Sequence, residues 1–319
     1  MSQLTKERIP GSDGIHQLSV TIWEEPAEIK GVVQIVHGMR EYVERYNEFA
    51  VYLVNHGFVV AGHDHLGHGD TAVPGEEGFF GEKDGAKALV LDCVRVTRWL
   101  RDRYPGLPLF LLGHSMGSFV GRLAILQTAS TLSGFLCLGT GGGKAFTPYA
   151  RVLTGLLSKA KGPGGQSGIA HKVMNAYSAK NLNSEEAEDA WISRDPAVVS
   201  RYSGDERTRF EFTNQAYSDL LDLQIAANRK EWYRMVDKHL PILLLSGTND
   251  PIGDMGKDLP KIWRKLAEAG VQDIEYKQYP GARHELLNEL NRREVFSDIL
   301  GWLEEHLPEG WTSSAGWIR

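Results

Sequence analysis

Short apolar runs alternate with helical patterns along this chain, and this alternation restricts its fold more than any other feature. The β-branched run at 31–36 is typical of a strand buried on both faces, and further strands are predicted at 58–61, 109–112 and 134–138. Between them, the segment 85–103 carries apolar residues at near-helical spacing. Strands that alternate with helices predict an α/β protein with a mostly parallel central sheet and helices on both of its faces.

The alternation is interrupted in the second half of the chain. Residues 140–238 hold Gly-rich loops and charged helical pieces but no comparable apolar run, and strands are predicted again at 241–246 and 274–279. We therefore predict a core domain made of residues 1–139 and 239–319, with residues 140–238 inserted as a helical cap. Because the carboxyl ends of parallel strands meet at one edge of a sheet, we expect the cap to cover that edge.

Four further helices and one further strand complete the prediction. The run at 18–23 alternates apolar with other residues and is predicted to be an antiparallel strand. The remaining helices are predicted near 41–55, 116–127, 256–269 and 290–306.

Charge and composition disfavour several classes of partner. Lys and Arg number 35 and Asp and Glu number 41, so the formal net charge is −6, and no basic block suggests nucleic-acid binding. No apolar run approaches the roughly 20 residues of a membrane span, and the N-terminus shows no secretory signal. Cys93 and Cys137 form neither a disulfide framework nor a zinc spacing, which favours a reducing, cytoplasmic compartment.

The pentapeptide GHSMG at 113–117 lies between an apolar run and a predicted helix. A sharp strand-to-helix turn projects the serine oxygen, and the flanking glycines permit this turn where a Cβ would clash. The helix that follows offers unpaired N–H groups to a developing negative charge. We therefore predict that Ser115 is a nucleophile and that the backbone N–H of Met116 is one oxyanion donor.

A serine hydroxyl is a weak nucleophile and needs a base. Asp250 and His284 each follow one of the two strands predicted after the cap, and the order Ser, Asp, His is that of α/β-hydrolase triads. His284 would take the proton of Ser115, and Asp250 would orient the imidazole. Asp254 is an alternative acid, but Asp250 is favoured because it lies closer to the end of its strand, where a rigid carboxylate is easier to place.

A second oxyanion donor is expected in the loop after the strand at 31–36. His37, Gly38 and Met39 stand at this strand end. Gly38 allows the backbone to approach the nucleophile closely, so the backbone N–H of Met39 is the predicted donor.

Five motifs, taken together, resemble the α/β-hydrolase family of monoacylglycerol lipases and lysophospholipases. The resemblance covers essentially the whole chain, and implies an α/β-hydrolase fold with the triad and oxyanion donors named above. It also implies hydrolysis of carboxylic esters with one apolar acyl chain, without a metal or organic cofactor. One departure is the loop HGMREYVERY, where the family often has a second Gly and a His soon after HG. The motifs are HGM at 37–39, HDHLGHGDT at 63–71, GHSMGS at 113–118, GTNDP at 247–251 and GARHELLNE at 281–289.

Two other motifs are given structural interpretations. The dense His and Asp residues of the segment 63–70 match a loop of the same family that needs no metal, so we expect local hydrogen bonding there. The segment 139–145 resembles a phosphate-binding loop, but Leu138 and Ala145 occupy the positions that the motif gives to Gly and to Ser or Thr. We interpret it as the flexible start of the cap.

The cap carries four candidate substrate-binding residues, Phe146, Leu153, Leu156 and Leu157. The three leucines lie at helical spacing, so they form one apolar face. This face would line an acyl pocket or make transient contact with a lipid surface. Simple packing of the cap on the core domain explains the same spacing, and the periodicity does not distinguish the alternatives.

The predicted partner is a small, lipid-like ester, and two other functions remain open at this point. An aminopeptidase or amidase on the same fold would need a carboxylate to hold a free amine, for which Glu185, Glu186, Glu188 and Asp189 are candidates. A non-catalytic ligand-binding protein is the other alternative.

Overall fold

A mostly parallel sheet forms the centre of the protein, and the computed structural model describes residues 3–24, 28–172 and 187–308. The strands are β1 (Gln3–Pro10), β2 (Gln17–Glu24), β3 (Gly31–Val36), β4 (Phe58–His63), β5 (Leu109–His114), β6 (Gly134–Leu138), β7 (Ile242–Gly247) and β8 (Ile274–Tyr279). Their order in the sheet is β1-β2-β4-β3-β5-β6-β7-β8. The pairs β1–β2 and β2–β4 are antiparallel. The remaining pairs, from β4–β3 to β7–β8 along the sheet, are parallel. The predicted fold class is therefore confirmed.

Helices cover both faces of this sheet. The principal α-helices are α1 (Asn47–Val54), α2 (Gly85–Arg103), α3 (Met116–Thr128), α4 (Thr147–Lys161), α5 (Pro196–Gly204), α6 (Asn214–Asn228), α7 (Lys230–Met235), α8 (Asp258–Glu268) and α9 (Arg292–Glu305). None of the described helices is long and apolar enough to cross a membrane.

The β-branched runs form strands because both of their faces are buried. In β3, Val32 belongs to the apolar core that α2, α3 and α8 cover, and its neighbour Val33 belongs to the core that α1 and α9 cover. Successive side chains of a strand point to opposite faces, so a run with no polar face fits only a sheet covered on both sides. Each fully buried valine contributes about 1.5–3 kcal/mol relative to an exposed one.

Two parts of the predicted secondary structure were incomplete. Strand β1 was not predicted, because its sequence QLTKERIP is largely polar and has no apolar run. It lies at the edge of the sheet, and β2 is its single partner within the part of the chain that the structure describes. The helix predicted over 41–55 begins instead as a 3-10 helix at Val43–Tyr46 and becomes α-helical only at Asn47. Residues 40–42 thus remain in the loop that follows β3.

The segment predicted as a cap contains α4 to α7, and its described residues contain no strand. The side of α4 that packs on α6 is small and polar: Thr154 meets Ser218 at 2.8 Å between hydroxyl oxygens, and Ser158 donates to Gln215. Helix α6 also packs against the core helices α2 and α3. The boundaries 140–238 stay a prediction, because α6 packs both on α4 of the predicted cap and on α2 and α3 of the core domain.

Candidate active site

Ser115 stands at the turn between β5 and α3. Its backbone has φ 54° and ψ −120°, in the positive-φ region that residues with a side chain rarely adopt. A Cβ on Gly117 would clash with the backbone carbonyl of Val36, and one on Gly113 would clash with that of Gly117. The two glycines of GHSMG are therefore required by close packing, and the strained turn presents the Ser115 hydroxyl to a cavity.

Two side chains that follow neighbouring strands meet beside this serine. His284 follows β8, and its Nδ1 donates to Asp250 Oδ1, just past β7, at 2.9 Å. The same carboxylate oxygen accepts the backbone N–H of Ile252 at 2.9 Å. His284 Nε2 is buried without a hydrogen-bond partner among the described residues, and His284 and Ser115 line the same cavity. The imidazole is thus oriented by the carboxylate, and its other nitrogen is available for a proton.

The structure distinguishes the two candidate acids. The side chain of Asp254 is 45% exposed, and its Oδ1 lies 3.9 Å from Lys144 Nζ. Asp250 is fully buried, at 0% exposure, and contacts the imidazole directly. The geometry therefore favours Asp250.

The two predicted oxyanion donors, Met39 and Met116, both line the cavity beside Ser115. A Cβ added to Gly38 would lie 2.9 Å from the Cβ of Ser115, so only glycine allows this approach of the loop. The N–H of Gly38 donates to Glu41 Oε1 at 2.5 Å, and the N–H of Arg40 donates to His68 Nε2 at 3.2 Å. The amides on both sides of Met39 are therefore occupied, which agrees with the choice of its N–H as the donor.

A buried network of charged residues beside the site was not predicted. Glu41 accepts from the Tyr46 hydroxyl at 2.9 Å and from Arg45 at 3.0 Å. Arg45 also donates from two nitrogens to both oxygens of Glu285, at 2.8 and 2.7 Å. Glu41 and Glu285 line the cavity. The departure from the family pattern at HGMREYVERY drew attention to this loop. It did not indicate Glu285 as a partner, because that residue lies 240 positions after Arg45 in the chain.

Most of the His and Asp residues of the segment 63–70 act as hydrogen-bond partners in the structure, whereas both ring nitrogens of His63 are buried without a partner among the described residues. Asp64 accepts two backbone N–H groups, at 2.8 Å each, and the N–H of His65 donates to His37 Nε2 at 3.0 Å. Burial lowers the pKa of His68 to about 4, so its imidazole is neutral and accepts the N–H of Arg40. This loop supports the one that carries Met39.

The cavity above Ser115 is narrow, with a volume of about 90 Å³, and has an apolar and a polar part. Its apolar part includes residues of the core, of the predicted cap and of the loop after β7. Its polar part lies at the Glu41 side. The apolar part includes Phe119, Phe146, Leu220, Leu221 and Ile252, and the polar part includes Glu41, His114 and Glu285.

Among the candidate substrate-binding residues, only Phe146 lines this cavity, and the three leucines of α4 do not. Leu156 is largely exposed, and Leu157 packs partly against the core. The reason is that α4 turns its small residues inward, so its leucines lie at the sides and on the outside. Leu220 and Leu221 of α6 line the cavity instead, and their apolar run could have suggested this role.

Comparison with known proteins places the chain in a family. Residues 27–291 match the model of the family described as serine aminopeptidase, S33. The human monoglyceride lipase is 29% identical over 295 residues, covering 92% of this chain and 88% of the relative, and a monoglyceride lipase homolog of monkeypox virus is 26% identical over 287 residues, covering 88% and 92%. A thermostable carboxyl esterase of Bacillus coagulans, solved in complex with glycerol, superposes with a TM-score of 0.89 at 26% identity, covering 96% of this chain and 99% of that chain. The chain therefore belongs to the serine aminopeptidase, S33 family of α/β hydrolases.

Proposed function

We propose that this protein is a serine ester hydrolase that acts on monoacylglycerol-type substrates, with Ser115, His284 and Asp250 as its catalytic triad. One observation carries the proposal: the strained Ser115 opens into the same cavity as His284, whose Nδ1 is held by the buried Asp250. The substrate class is supported by the relatives, since the human and viral proteins are named as a monoglyceride lipase and its homolog.

The acylation step follows from this arrangement. His284 Nε2 removes the proton of the Ser115 hydroxyl as its oxygen attacks the ester carbonyl carbon. The negative charge that develops on the carbonyl oxygen is stabilised by the N–H groups of Met39 and Met116. The bond to the alcohol oxygen then breaks, and His284 returns the proton to the leaving alcohol. Asp250 holds the required tautomer and stabilises the imidazolium formed on the way.

Deacylation repeats the same steps with water as the nucleophile. His284 takes a proton from water, and the resulting hydroxide attacks the acyl-serine carbonyl carbon. The bond to the Ser115 oxygen breaks, that oxygen recovers the proton from His284, and the fatty acid leaves.

The cavity supports an ester with an apolar acyl chain and a neutral polar alcohol. Phe119, Leu220 and Leu221 offer apolar surface for the chain. The carboxylates at the polar end are held by hydrogen bonds: Glu41 and Glu285 both bind Arg45, and Glu41 also accepts from Tyr46. Their oxygens are therefore already engaged by neighbouring side chains, which favours esters over aminoacyl substrates.

The acidic residues suggested for an amine site do not strengthen the aminopeptidase alternative. Glu188 and Asp189 do not line the cavity above Ser115, and Asp189 instead accepts a hydrogen bond from Ser203. Glu185 and Glu186 lie outside the described residues.

The outer side of α4 supports transient contact with a lipid surface. Tyr149, Val152 and Leu156 are 78%, 61% and 59% exposed, while the inward side of the helix is small and polar. A cap helix that turns its apolar side chains to solvent is suited to rest on a lipid interface near the source of the substrate.

A cytoplasmic location remains part of this proposal. It is supported by the two thiols, since Cys93 and Cys137 are both free and buried in the core.

Substrate competition with defined variants tests the function. We expect monoacylglycerols with medium or long acyl chains to be hydrolysed faster than lysophospholipids, acetyl esters or aminoacyl anilides. Ser115→Ala should abolish turnover and labelling by a fluorophosphonate, while Ser203→Ala, which changes an exposed serine, should keep both. Full activity in Ser115→Ala, or a preference for aminoacyl anilides, would reject the proposal.

A further inference from the structure

His114, the residue before the nucleophile, is buried between two hydrogen-bond acceptors. Its Nδ1 lies 3.1 Å from Glu41 Oε1, and its Nε2 lies 3.3 Å from the backbone carbonyl oxygen of His284. A carboxylate and a carbonyl oxygen only accept hydrogen bonds. Both contacts are therefore satisfied together only when both ring nitrogens of His114 carry a proton.

Among the described residues, Tyr46 provides an alternative donor to His114 Nδ1. Its hydroxyl lies 2.9 Å from Glu41 Oε1 and 3.0 Å from His114 Nδ1, and its single proton serves only one of them at a time. If Tyr46 donates to Nδ1, the unprotonated nitrogen also faces the Glu41 carboxylate at 3.1 Å. Two acceptors held against each other in a buried site are unfavourable, so the protonated imidazole fits better.

Charge balance leads to the same protonation state. The buried network contains two carboxylates, Glu41 and Glu285, and one guanidinium, Arg45. Its net charge is zero only if His114 is also positive, and buried charges without compensation are costly. Burial opposes the charged form of His114, but the hydrogen bond and the charge of Glu41 outweigh it and raise the His114 pKa. The pKa of Glu41 is correspondingly held well below its usual range, although burial alone would raise it.

We propose that His114 is an imidazolium that positions His284 by joining its backbone carbonyl to the oxyanion loop through Glu41. The connection is continuous: Gly38 N–H donates to Glu41, Glu41 accepts from His114, and His114 donates to the carbonyl of His284. Met39, the proposed oxyanion donor, follows Gly38 directly in one loop, and His284, the proposed base, lies in another. The ion pair between Glu41 and His114 joins these two loops. The effect of His114 on rate rests on the proposed triad, but its protonation state does not.

Nuclear magnetic resonance of histidine-labelled protein reads the protonation state directly. In the full-length chain with nitrogen-15 histidine, His114→Gln identifies the signals of this ring by their loss. We expect both nitrogens of His114 to be protonated at neutral pH, and to remain so in Tyr46→Phe. Glu41→Gln keeps the size of the side chain but removes its negative charge, so one nitrogen of His114 should lose its proton. A singly protonated His114 in the unmutated protein would overturn the proposal, even if the enzyme hydrolyses esters as expected.

Kinetics test the positioning role separately. A displacement of the base by about 1 Å costs on the order of 10²-fold in rate, so His114→Gln should lower kcat by about that factor with little change in KM. In the unmutated enzyme, kcat/KM should fall as the pH rises through the raised pKa of His114, because the positioning imidazolium is then lost. His114→Gln should not show this fall. Glu41→Gln combined with His114→Gln should lose little more than either alone, because both break the same contact. His239→Gln, on an exposed loop, is the matched control. Unchanged kcat and pH profile in His114→Gln would refute the positioning role.

Discussion

Replacing Asp250 by Asn removes the negative charge beside the proposed base with almost no change in shape. Asp250 Oδ1 accepts His284 Nδ1–H and the backbone N–H of Ile252, each at 2.9 Å, and its side chain is fully buried. An asparagine fits this site with its Oδ1 in the place of that oxygen, because there it accepts both N–H groups, and its NH₂ group replaces Asp250 Oδ2, which has no hydrogen-bond partner among the described residues. The imidazole then keeps its tautomer, but the negative charge beside Nδ1 is lost.

The expected loss is large because the imidazolium that forms when His284 accepts the Ser115 proton no longer faces a carboxylate. Two opposite charges about 4 Å apart attract by about 4 kcal/mol at an effective dielectric constant of about 20, so kcat should fall by about 10³-fold. KM should change little, because Asp250 does not line the cavity above Ser115. Steady-state hydrolysis of a soluble p-nitrophenyl ester at saturation measures kcat directly, and circular dichroism confirms that the variant is folded.

Asp254→Asn is the matched control, since it makes the same chemical change four residues further along the chain. Asp254 is nearly half exposed, and its Oδ1 lies 3.9 Å from Lys144 Nζ, so this variant should keep kcat within about threefold, as surface changes outside special contacts usually do. If Asp254→Asn lost more activity than Asp250→Asn, the assignment of the acid would be wrong. Equal, small losses in both variants would show that neither carboxylate stabilises the protonated base.

Two further predictions concern the oxyanion loop and the cap. Gly38→Ala places a Cβ 2.9 Å from Ser115 Cβ and 2.6 Å from Glu41 Oε1, so the loop must shift. Losing one oxyanion donor in this way should lower kcat by about 10²–10³-fold. An unchanged kcat would show that the loop supplies no donor. Leu156→Glu should slow hydrolysis of monoacylglycerol presented in vesicles while sparing a soluble ester, whereas Ile15→Glu, which changes an apolar side chain that is 81% exposed on the β1–β2 turn, should affect neither. Equal effects of the two substitutions on the vesicle assay would reject contact through α4.

The parallel sheet and the ends of its strands were predictable because burial on both faces leaves a clear sequence pattern. The runs at 31–36 and 134–138 became β3 and β6 with the predicted bounds. Ser115 and Asp250 each follow such a strand, and His284 follows the more exposed β8, so the prediction of the sheet also placed all three at one edge. Strand β1 escaped prediction because an edge strand with one partner and an exposed face needs no apolar run.

Residues whose role depends on tertiary contacts were not predictable from spacing. The leucines of α4 have the periodicity of a buried face, yet the helix turns Thr154 and Ser158 inward, where hydroxyl hydrogen bonds with α6 take the place of apolar packing. Periodicity gives the relative directions of side chains on a helix, but it does not identify the side that meets the core. A small, polar inner side leaves the apolar residues free for another surface.

The charged network beside Ser115 shows the same limitation for single residues. In sequence, Glu41, Arg45 and Glu285 each resemble ordinary surface charges, and only the fold reveals that all three are largely buried and paired. Their burial is tolerated because every charge has a partner. In the proposed state, the proton on His114 Nδ1 is one of these contacts, so the fold as well as the solvent pH determines whether His114 is protonated. The proposed base and the histidine one residue before Ser115 can thus differ in charge, although their rings lie 4.8 Å apart, because their nitrogens face different partners. His284 faces Asp250 and has an Nε2 without a partner among the described residues, whereas His114 faces Glu41 and a backbone carbonyl.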